Sequence, residues 1–155
     1  MKSKNRLLTR ALGLSASFIL FHSGAPAIAG DVEKAVEYRQ GVMNVFSWNM
    51  KTMGDMMKGK TSYDQKQFAE HAQELATASK LNLMRGFPED SESEESDALA
   101  EIWMDFEDFE NKYREMGIAA KALNDAAQNG DKSKMGEALK AAGKSCKACH
   151  KKYKN

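Results

Sequence analysis

Five residues near the C-terminus, Cys146-Lys147-Ala148-Cys149-His150, form the pattern C-x-x-C-H. This pattern is the attachment signature of c-type haem, in which each thiol adds to a haem vinyl group and the histidine binds iron as an axial ligand. On a helix the two cysteines are three residues apart and share one face. The chain contains two cysteines in total. The pattern therefore predicts one covalently bound haem c, held by Cys146 and Cys149, with His150 as the iron ligand.

Three other interpretations use the same cysteines. C-x-x-C also occurs in thioredoxin-like redox sites and in halves of zinc sites. A thioredoxin-like site needs a βαβ pattern, and this sequence shows no strand-like alternation. Structural zinc needs four ligands, and beyond residue 29 the sequence adds one histidine, His71, to the three residues of the motif. A disulfide would close a very small loop and stabilise little. A disulfide or a metal site are thus the alternatives to haem.

Residues 1–29 are predicted to be a cleaved secretory signal peptide. A basic start (Lys2, Lys4, Arg6, Arg10) precedes a mainly apolar stretch over residues 11–21, and Ala27-Ile28-Ala29 forms a small-x-small cleavage site. An uncleaved membrane anchor is the alternative, but the apolar stretch is short for a spanning helix. Residues 30–155 would form a single domain in the periplasm. Bacteria attach haem covalently outside the cytoplasmic membrane, so an export signal agrees with the C-x-x-C-H pattern.

Without residues 1–29 the chain carries 19 Lys and Arg against 22 Asp and Glu, a net charge of −3. The sequence contains no sustained basic patch of the kind that would predict a nucleic-acid partner. The mature chain contains no second long apolar run of the kind that would predict a membrane span.

Helical periodicity predicts an all-α protein, an antiparallel four-helix bundle. The first helix should run from about Asp31 to Lys58, and the third from about Asp105 to Asn129. Asp64 and Asp131 should cap the second and fourth helices. The inward stripe of the fourth helix includes both cysteines (Met135, Leu139, Ala142, Cys146, Cys149, Tyr153), so the haem should lie inside the bundle.

Two further segments carry weaker signals. The acidic run from Glu89 to Glu95 should be a solvated, mobile loop. His71 lies among charged residues of the second helix and is interpreted as a surface histidine.

The chain resembles the cytochrome c′ family over essentially its whole mature length. The resemblance rests on the order of four helices with C-x-x-C-H in the last. It also rests on four segments: Tyr38-Arg39-Gln40, Lys58-Gly59 followed by Tyr63-Asp64, Glu101-Ile102-Trp103, and the haem segment from Gly143 to His150. The family implies an antiparallel four-helix bundle, often a homodimer, in the periplasm.

The resemblance also assigns residues around the haem. It places Arg39 and Gln40 near the haem, with Arg39 toward a propionate, and Asp97 where some members have a haem-contacting residue. It places Lys154 near the proximal histidine. For Arg39 the sequence adds a physical reason, because the residue interrupts an apolar stripe and a charge there needs a partner. The alternatives are an arginine that reaches solvent or pairs with Asp or Glu.

Met43 follows Arg39 by one helical turn, where the family places the residue facing the distal side of the iron. In cytochrome c′ proper this residue is apolar, the iron is five-coordinate and it binds NO or CO. In a low-spin branch a methionine from this helix is the sixth ligand. Methionine is equally suited to be a ligand or core filler, so Met43 is a candidate sixth ligand.

Two functions therefore follow, and a third stays open. The first is one-electron transfer with NO or CO binding at a five-coordinate iron, using periplasmic electron donors and acceptors. The second is a His150/Met43 electron shuttle that binds no gas. The third is a non-haem helical bundle that binds metal or a partner. An enzyme is not expected, because no nucleophile motif or phosphate-binding loop is present.

Overall fold

A computed structural model describes the backbone of residues 26–155 and the side chains from Gly30 onward. It contains four long helices: α1 (Pro26–Met57), α2 (Gln65–Ala78), α4 (Phe106–Gln128) and α5 (Lys132–Tyr153). The short helix α3 (Glu101–Met104) and a 3₁₀ turn (Leu83–Gly86) lie in the connection between α2 and α4. The prediction of an all-α four-helix bundle is confirmed. The predicted signal peptide falls mainly on residues 1–25, which lie outside the described residues.

The helix ends follow the expected local chemistry. The Asp64 carboxylate accepts a hydrogen bond from the backbone N–H of Gln67 (2.9 Å). The Asp131 carboxylate accepts from two N–H groups, those of Ser133 and Lys134 (both 3.1 Å). Each carboxylate satisfies N–H groups that have no partner within the helix. Gly59 and Gly130 have φ of 70° and 71°, the left-handed conformation that ends α1 and α4.

Helix α1 begins earlier than the predicted Asp31. The structure starts it at Pro26, a residue whose fixed φ suits the first helical positions. The predicted cleavage site would therefore lie within the first turn of α1 in the uncleaved chain.

The core is formed by apolar stripes of all four long helices. Helix α1 packs against α2 and α5, and α4 packs against the same two helices. Helix α5 approaches α1 closely at Gly136, where a Cβ would lie 3.1 Å from Cε of Met57. At Gly143 a Cβ would lie 3.8 Å from Cε of Met50, an ordinary packing distance. Close approach of α1 and α5 places their facing side chains around one space.

The structure corrects two expectations from the sequence. The acidic carboxylates of residues 89–95 are exposed, but Ser91 between them is fully buried. His71 is not a surface histidine, because its side chain is 13% exposed. Its Nδ1 lies 2.7 Å from Oδ1 of the buried Asn49. The amide of Asn49 donates to the Val45 carbonyl, so Oδ1 accepts from the imidazole. Tertiary packing of α2 on α1 overrides the polar neighbours of His71 in sequence.

No helix within residues 26–155 is both long and apolar enough to span a bilayer.

Candidate haem site

A cavity of about 410 Å³ lies between α1, α5 and the connection that precedes α3. Residues from the three parts line it, among them Arg39, Gln40 and Met43 of α1, Asp97 of the connection, and Cys149, His150 and Lys154 at the end of α5. A smaller cavity of about 40 Å³ adjoins it and is also lined by Met43, Cys146, Cys149 and His150. The fold therefore brings all seven site residues predicted from the sequence to one region of the bundle.

Both cysteines have free thiols and are partly buried against the core. Burial raises the pKa of the Cys149 thiol to about 11 and also raises the pKa of Cys146. The thiols are thus uncharged at neutral pH and face the interior as small apolar groups. No disulfide joins them, and within the described chain no three His, Cys, Asp or Glu side chains converge on a metal ion.

His150 follows Cys149 directly and lines both cavities. Partial burial of the ring, with a smaller effect of the Lys154 charge, lowers the pKa of His150 below its ordinary value. The neutral imidazole is the form that binds a metal ion. The ring therefore needs no proton loss at neutral pH to act as an axial ligand.

Arg39 is a buried cation, with 2% of its surface exposed. Its Nη1 donates to the carbonyl oxygens of Gly86 and Ser91, and its Nη2 also donates to Ser91 (all 3.1 Å). The guanidinium carbon lies 4.8 Å from the ring centre of Phe87 and 5.6 Å from that of Trp103. Arg39 thus neither reaches solvent nor pairs with a carboxylate, the two alternatives weighed from the sequence.

One donor nitrogen of Arg39 has no acceptor in the described chain. Its Nε is buried and makes no hydrogen bond to the described chain. A buried N–H of a cation without an acceptor costs free energy, and Arg39 lines the large cavity. An anionic group in that cavity, such as a haem propionate, would complete the donor set.

The connection that carries Asp97 is tied to both ends of the site. Gln40 donates from Nε2 to the Glu95 carbonyl (2.8 Å). Asp97 forms an ion pair with Lys154 (2.7 Å), and its carbonyl accepts from the N–H of Asn155 (2.9 Å). Gln40 and Asp97 therefore shape the wall of the cavity through contacts with the chain itself.

Met43 faces the same two cavities from α1 as His150 does from α5. Its side chain is partly buried and packs against the core. The position is suited either to a ligand or to an apolar wall.

The residues present fit a covalently bound haem. Two free thiols share one face of α5, a neutral imidazole adjoins them, and a buried donor of Arg39 has no partner in the described chain. Much of the lining is apolar, including Phe87, Ile102 and Phe109. Haem c binding would use Cys146 and Cys149 as thioether anchors and would supply iron for one-electron chemistry.

Sequence reasoning missed the partners of Arg39. Ser91 and Gly86 accept its hydrogen bonds, while Phe87 and Trp103 lie against its guanidinium. A polar Ser91 between acidic residues carries no sequence signal of burial. Trp103 does carry a signal in the sequence, because an indole N–H needs an acceptor. Here that acceptor is the Pro88 carbonyl oxygen (2.8 Å).

Comparison with known proteins agrees with this geometry. A family model described as Cytochrome C' matches residues 34–154. A cytochrome c' from Rhodospirillum rubrum is 38% identical over 129 residues, which are 83% of this chain and 86% of the relative.

Solved structures give the same result for the fold. Cytochrome c prime from Shewanella frigidimarina has a TM-score of 0.76 and 37% identity, covering 80% of this chain and 96% of that one. The nitric oxide complex of a cytochrome c prime mutant from Alcaligenes xylosoxidans has a TM-score of 0.72 and 33% identity, covering 80% and 95%.

Family model, curated relative and solved structures thus agree over most of the chain, and the thiols, the imidazole and the unpartnered arginine donor belong to residues that line two adjoining cavities. The chain belongs to the cytochrome c′ family and is a c-type haem protein.

Proposed function

We propose that this protein works in the periplasm, transfers single electrons, and binds NO or CO at a five-coordinate haem iron. The observation that carries the proposal is the cavity lined by His150 on one side and by Met43 and apolar side chains on the other. The nitric oxide complex of a mutant of the Alcaligenes relative supports the choice of ligand. The proposal includes no enzymatic activity.

The residues of the chain would divide the work as follows. His150 binds the iron from α5, and Cys146 and Cys149 prevent the haem from leaving. Arg39 offers its Nε to a propionate and, through Ser91, holds the loop that closes the site. The apolar wall that includes Phe109 disfavours charged ligands, because an ion there would lose its hydration. Small uncharged diatomic gases meet no such penalty.

Met43 supports a second candidate, an electron shuttle with His150 and Met43 as axial ligands. Its flexible thioether lines both cavities together with His150. If Met43 binds the iron, the sixth position is occupied and gas is excluded. The two candidate functions therefore differ in whether the Met43 sulfur is bonded to the iron.

Absorption spectra of the haem-loaded protein separate them, recorded oxidised and reduced, with and without CO. A high-spin spectrum that shifts when CO is added is the expected result. A low-spin spectrum with a far-red methionine–iron charge-transfer band, and no response to CO, would overturn the five-coordinate proposal.

Two methionine variants then test the assignment. Met50 is a matched control, since it lies on α1 as well but packs beside Gly143. In a five-coordinate protein Met43→Ala keeps the high-spin spectrum and changes CO affinity, while Met50→Ala leaves both unchanged. In a His150/Met43 protein Met43→Ala converts the low-spin spectrum to high-spin.

We also propose that the protein is a homodimer formed through α1. Exposed large apolar residues lie on the outer side of this helix at helical spacing: Tyr38, Val45 and Trp48, with Trp48 66% exposed. A dimer with twofold symmetry would place this stripe against its own copy and remove it from water.

A further inference from the structure

Charge is strongly segregated along this chain. From Lys132 to the C-terminus it carries eight lysines and one glutamate, a net charge of +7. From Gly30 to Asp131 it carries eleven Lys and Arg and 21 Asp and Glu, a net charge of −10. The small overall charge therefore hides a basic helix, α5, on an acidic bundle.

Half of these lysines have partners within the protein. Lys132 lies over the Tyr63 ring (4.2 Å), Lys134 pairs with Asp131, Lys152 pairs with Asp105 and Asp108, and Lys154 pairs with Asp97. The other four are Lys140, Lys144, Lys147 and Lys151. No carboxylate of residues 30–155 lies within 4 Å of their ammonium groups.

These four lysines form a stripe on the exposed side of α5. They follow one another at steps of four, three and four residues, so they share one face of the helix. All four are exposed. An unpaired row of like charges repels itself, and an acidic surface placed against it would relieve that repulsion.

The lysine stripe lies directly behind the haem anchors. Lys147 stands between Cys146 and Cys149, and Lys151 follows His150. A helix with its side chains is roughly 10–12 Å across. A protein docked on the stripe would therefore be separated from the haem by little more than α5 itself.

A membrane surface fits the stripe less well than a protein. Helices that lie in a membrane interface insert an apolar face next to their basic face. The apolar face of α5 is used inside the bundle, where Met135, Ala142 and Tyr153 are buried. The exposed large apolar residues of the described chain lie on other elements (Tyr38, Val45, Trp48, Leu81, Met104, Ile118).

We propose that the lysine stripe of α5 (Lys140, Lys144, Lys147, Lys151) is the docking surface for an acidic redox protein, which exchanges electrons with the haem across this helix. The role of the partner rests on the proposed electron-transfer function. The dipolar charge distribution would orient the protein, with α5 foremost, as it approaches a negative surface.

The test uses a gold electrode coated with a carboxylate-terminated monolayer as the acidic surface. The haem-loaded protein is adsorbed at low salt, the bound mass is measured by quartz-crystal microbalance, and electron exchange is measured by voltammetry. A hydroxyl-terminated monolayer serves as the neutral reference. The bound mass reports docking on the lysine stripe, and the current reports electron exchange. Loss of current with retained adsorption would therefore contradict the proposed electron transfer but not the docking surface.

Two double variants with the same net charge locate the docking face. Lys140→Glu/Lys144→Glu reverses two charges of the stripe that precede the C-x-x-C-H pattern. Lys58→Glu/Lys80→Glu reverses two exposed lysines on other parts of the bundle. The first should weaken adsorption on the order of tenfold at low salt, with an effect that fades as salt rises. The second should change it less than twofold. Lys140→Gln/Lys144→Gln repeats the first test should the reversal variant fail to fold.

Equal adsorption by the two variants would overturn the proposal. So would stripe-dependent binding to phosphatidylglycerol vesicles at lower protein concentration than to the carboxylate surface, since the occupant would then be a membrane. Stripe-dependent self-assembly of the free protein at low salt, measured by sedimentation, would assign the surface to a second copy and would overturn it as well.

Discussion

Arg39 of α1 is joined to Ser91, 52 residues later, by hydrogen bonds from both of its terminal nitrogens to one carbonyl oxygen (3.1 Å each). Both residues are buried, at 2% and 0% exposure. The contact connects a helix that lines the haem cavity to an otherwise acidic and exposed segment. Together with the Gln40 bond to the Glu95 carbonyl, it ties that segment to α1.

Arg39→Leu should destabilise the haem-loaded protein by about 2–4 kcal/mol, because the carbonyls of Gly86 and Ser91 lose their donors while buried. Urea unfolding followed by circular dichroism measures the change. Arg85→Gln, at an exposed arginine of the same segment, is the control and should cost less than about 0.5 kcal/mol. Equal costs for the two variants would contradict the buried role of Arg39.

Gly86→Ala should cost about 1–3 kcal/mol through overpacking. A Cβ at this position would lie 2.9 Å from Cβ of Arg39 and 3.3 Å from the backbone oxygen of Ala35. Neither atom is the end of a flexible chain, so the backbone would have to move. The free energy of unfolding is the measurement.

Gly54→Ala is the matched control for this substitution. Gly54 lies in α1, and a Cβ there meets nothing within 4 Å. Alanine should raise helix stability by roughly 0.5–1 kcal/mol. The two glycine variants are thus expected to change stability in opposite directions, and a stabilising Gly86→Ala would refute the close approach.

Asp108 joins the start of α4 to the end of α5. The Tyr153 hydroxyl (2.7 Å) and the Lys152 ammonium (2.9 Å) both donate to its carboxylate, and they lower the pKa of Asp108 to about 2. An aspartate in the unfolded chain has a pKa of about 3.9. The carboxylate therefore contributes stability above about pH 4, and this contribution is lost as the pH falls through about 2.

Asp108→Asn tests that dependence. The urea midpoint of the variant should lie below that of the parent protein at pH 6, and the difference should shrink as the pH approaches 2. Asp125→Asn, which removes an exposed pair with Lys121 within α4, should change the midpoint little at either pH. A difference for Asp108→Asn that is constant with pH would rule out the ionised carboxylate as its source.

Trp48→Glu should convert the proposed homodimer to a monomer, because it would bury a charge in the interface. Sedimentation velocity measures the oligomeric state. Ile118→Glu is the control, since Ile118 is also 66% exposed but lies on α4. Persistence of the dimer in Trp48→Glu, or its loss in Ile118→Glu, would exclude the α1 interface.

Much of the fold could be predicted because its determinants are local. The caps Asp64 and Asp131 act on N–H groups two or three residues away. The buried face of α2 (Phe68, Ala72, Leu75, Ala76) follows directly from helical spacing. The haem anchors are equally local, since one motif supplies both cysteines, and the proposed axial ligand His150 follows them directly.

Local rules failed where a residue finds its partner on another element. His71 looks like a surface histidine in its own helix, yet its side chain is largely buried and the buried Asn49 of α1 accepts its hydrogen bond. Ser91 looks solvated among carboxylates, yet Arg39 holds it inside.

By itself the sequence determined the class of the fold and the two cysteines of the haem motif, because residue spacing encodes these directly. The tertiary structure decided how Arg39 is satisfied and which of its donor nitrogens remains available. These are relations between residues far apart in the chain, and packing of α1, α5 and their connection creates them.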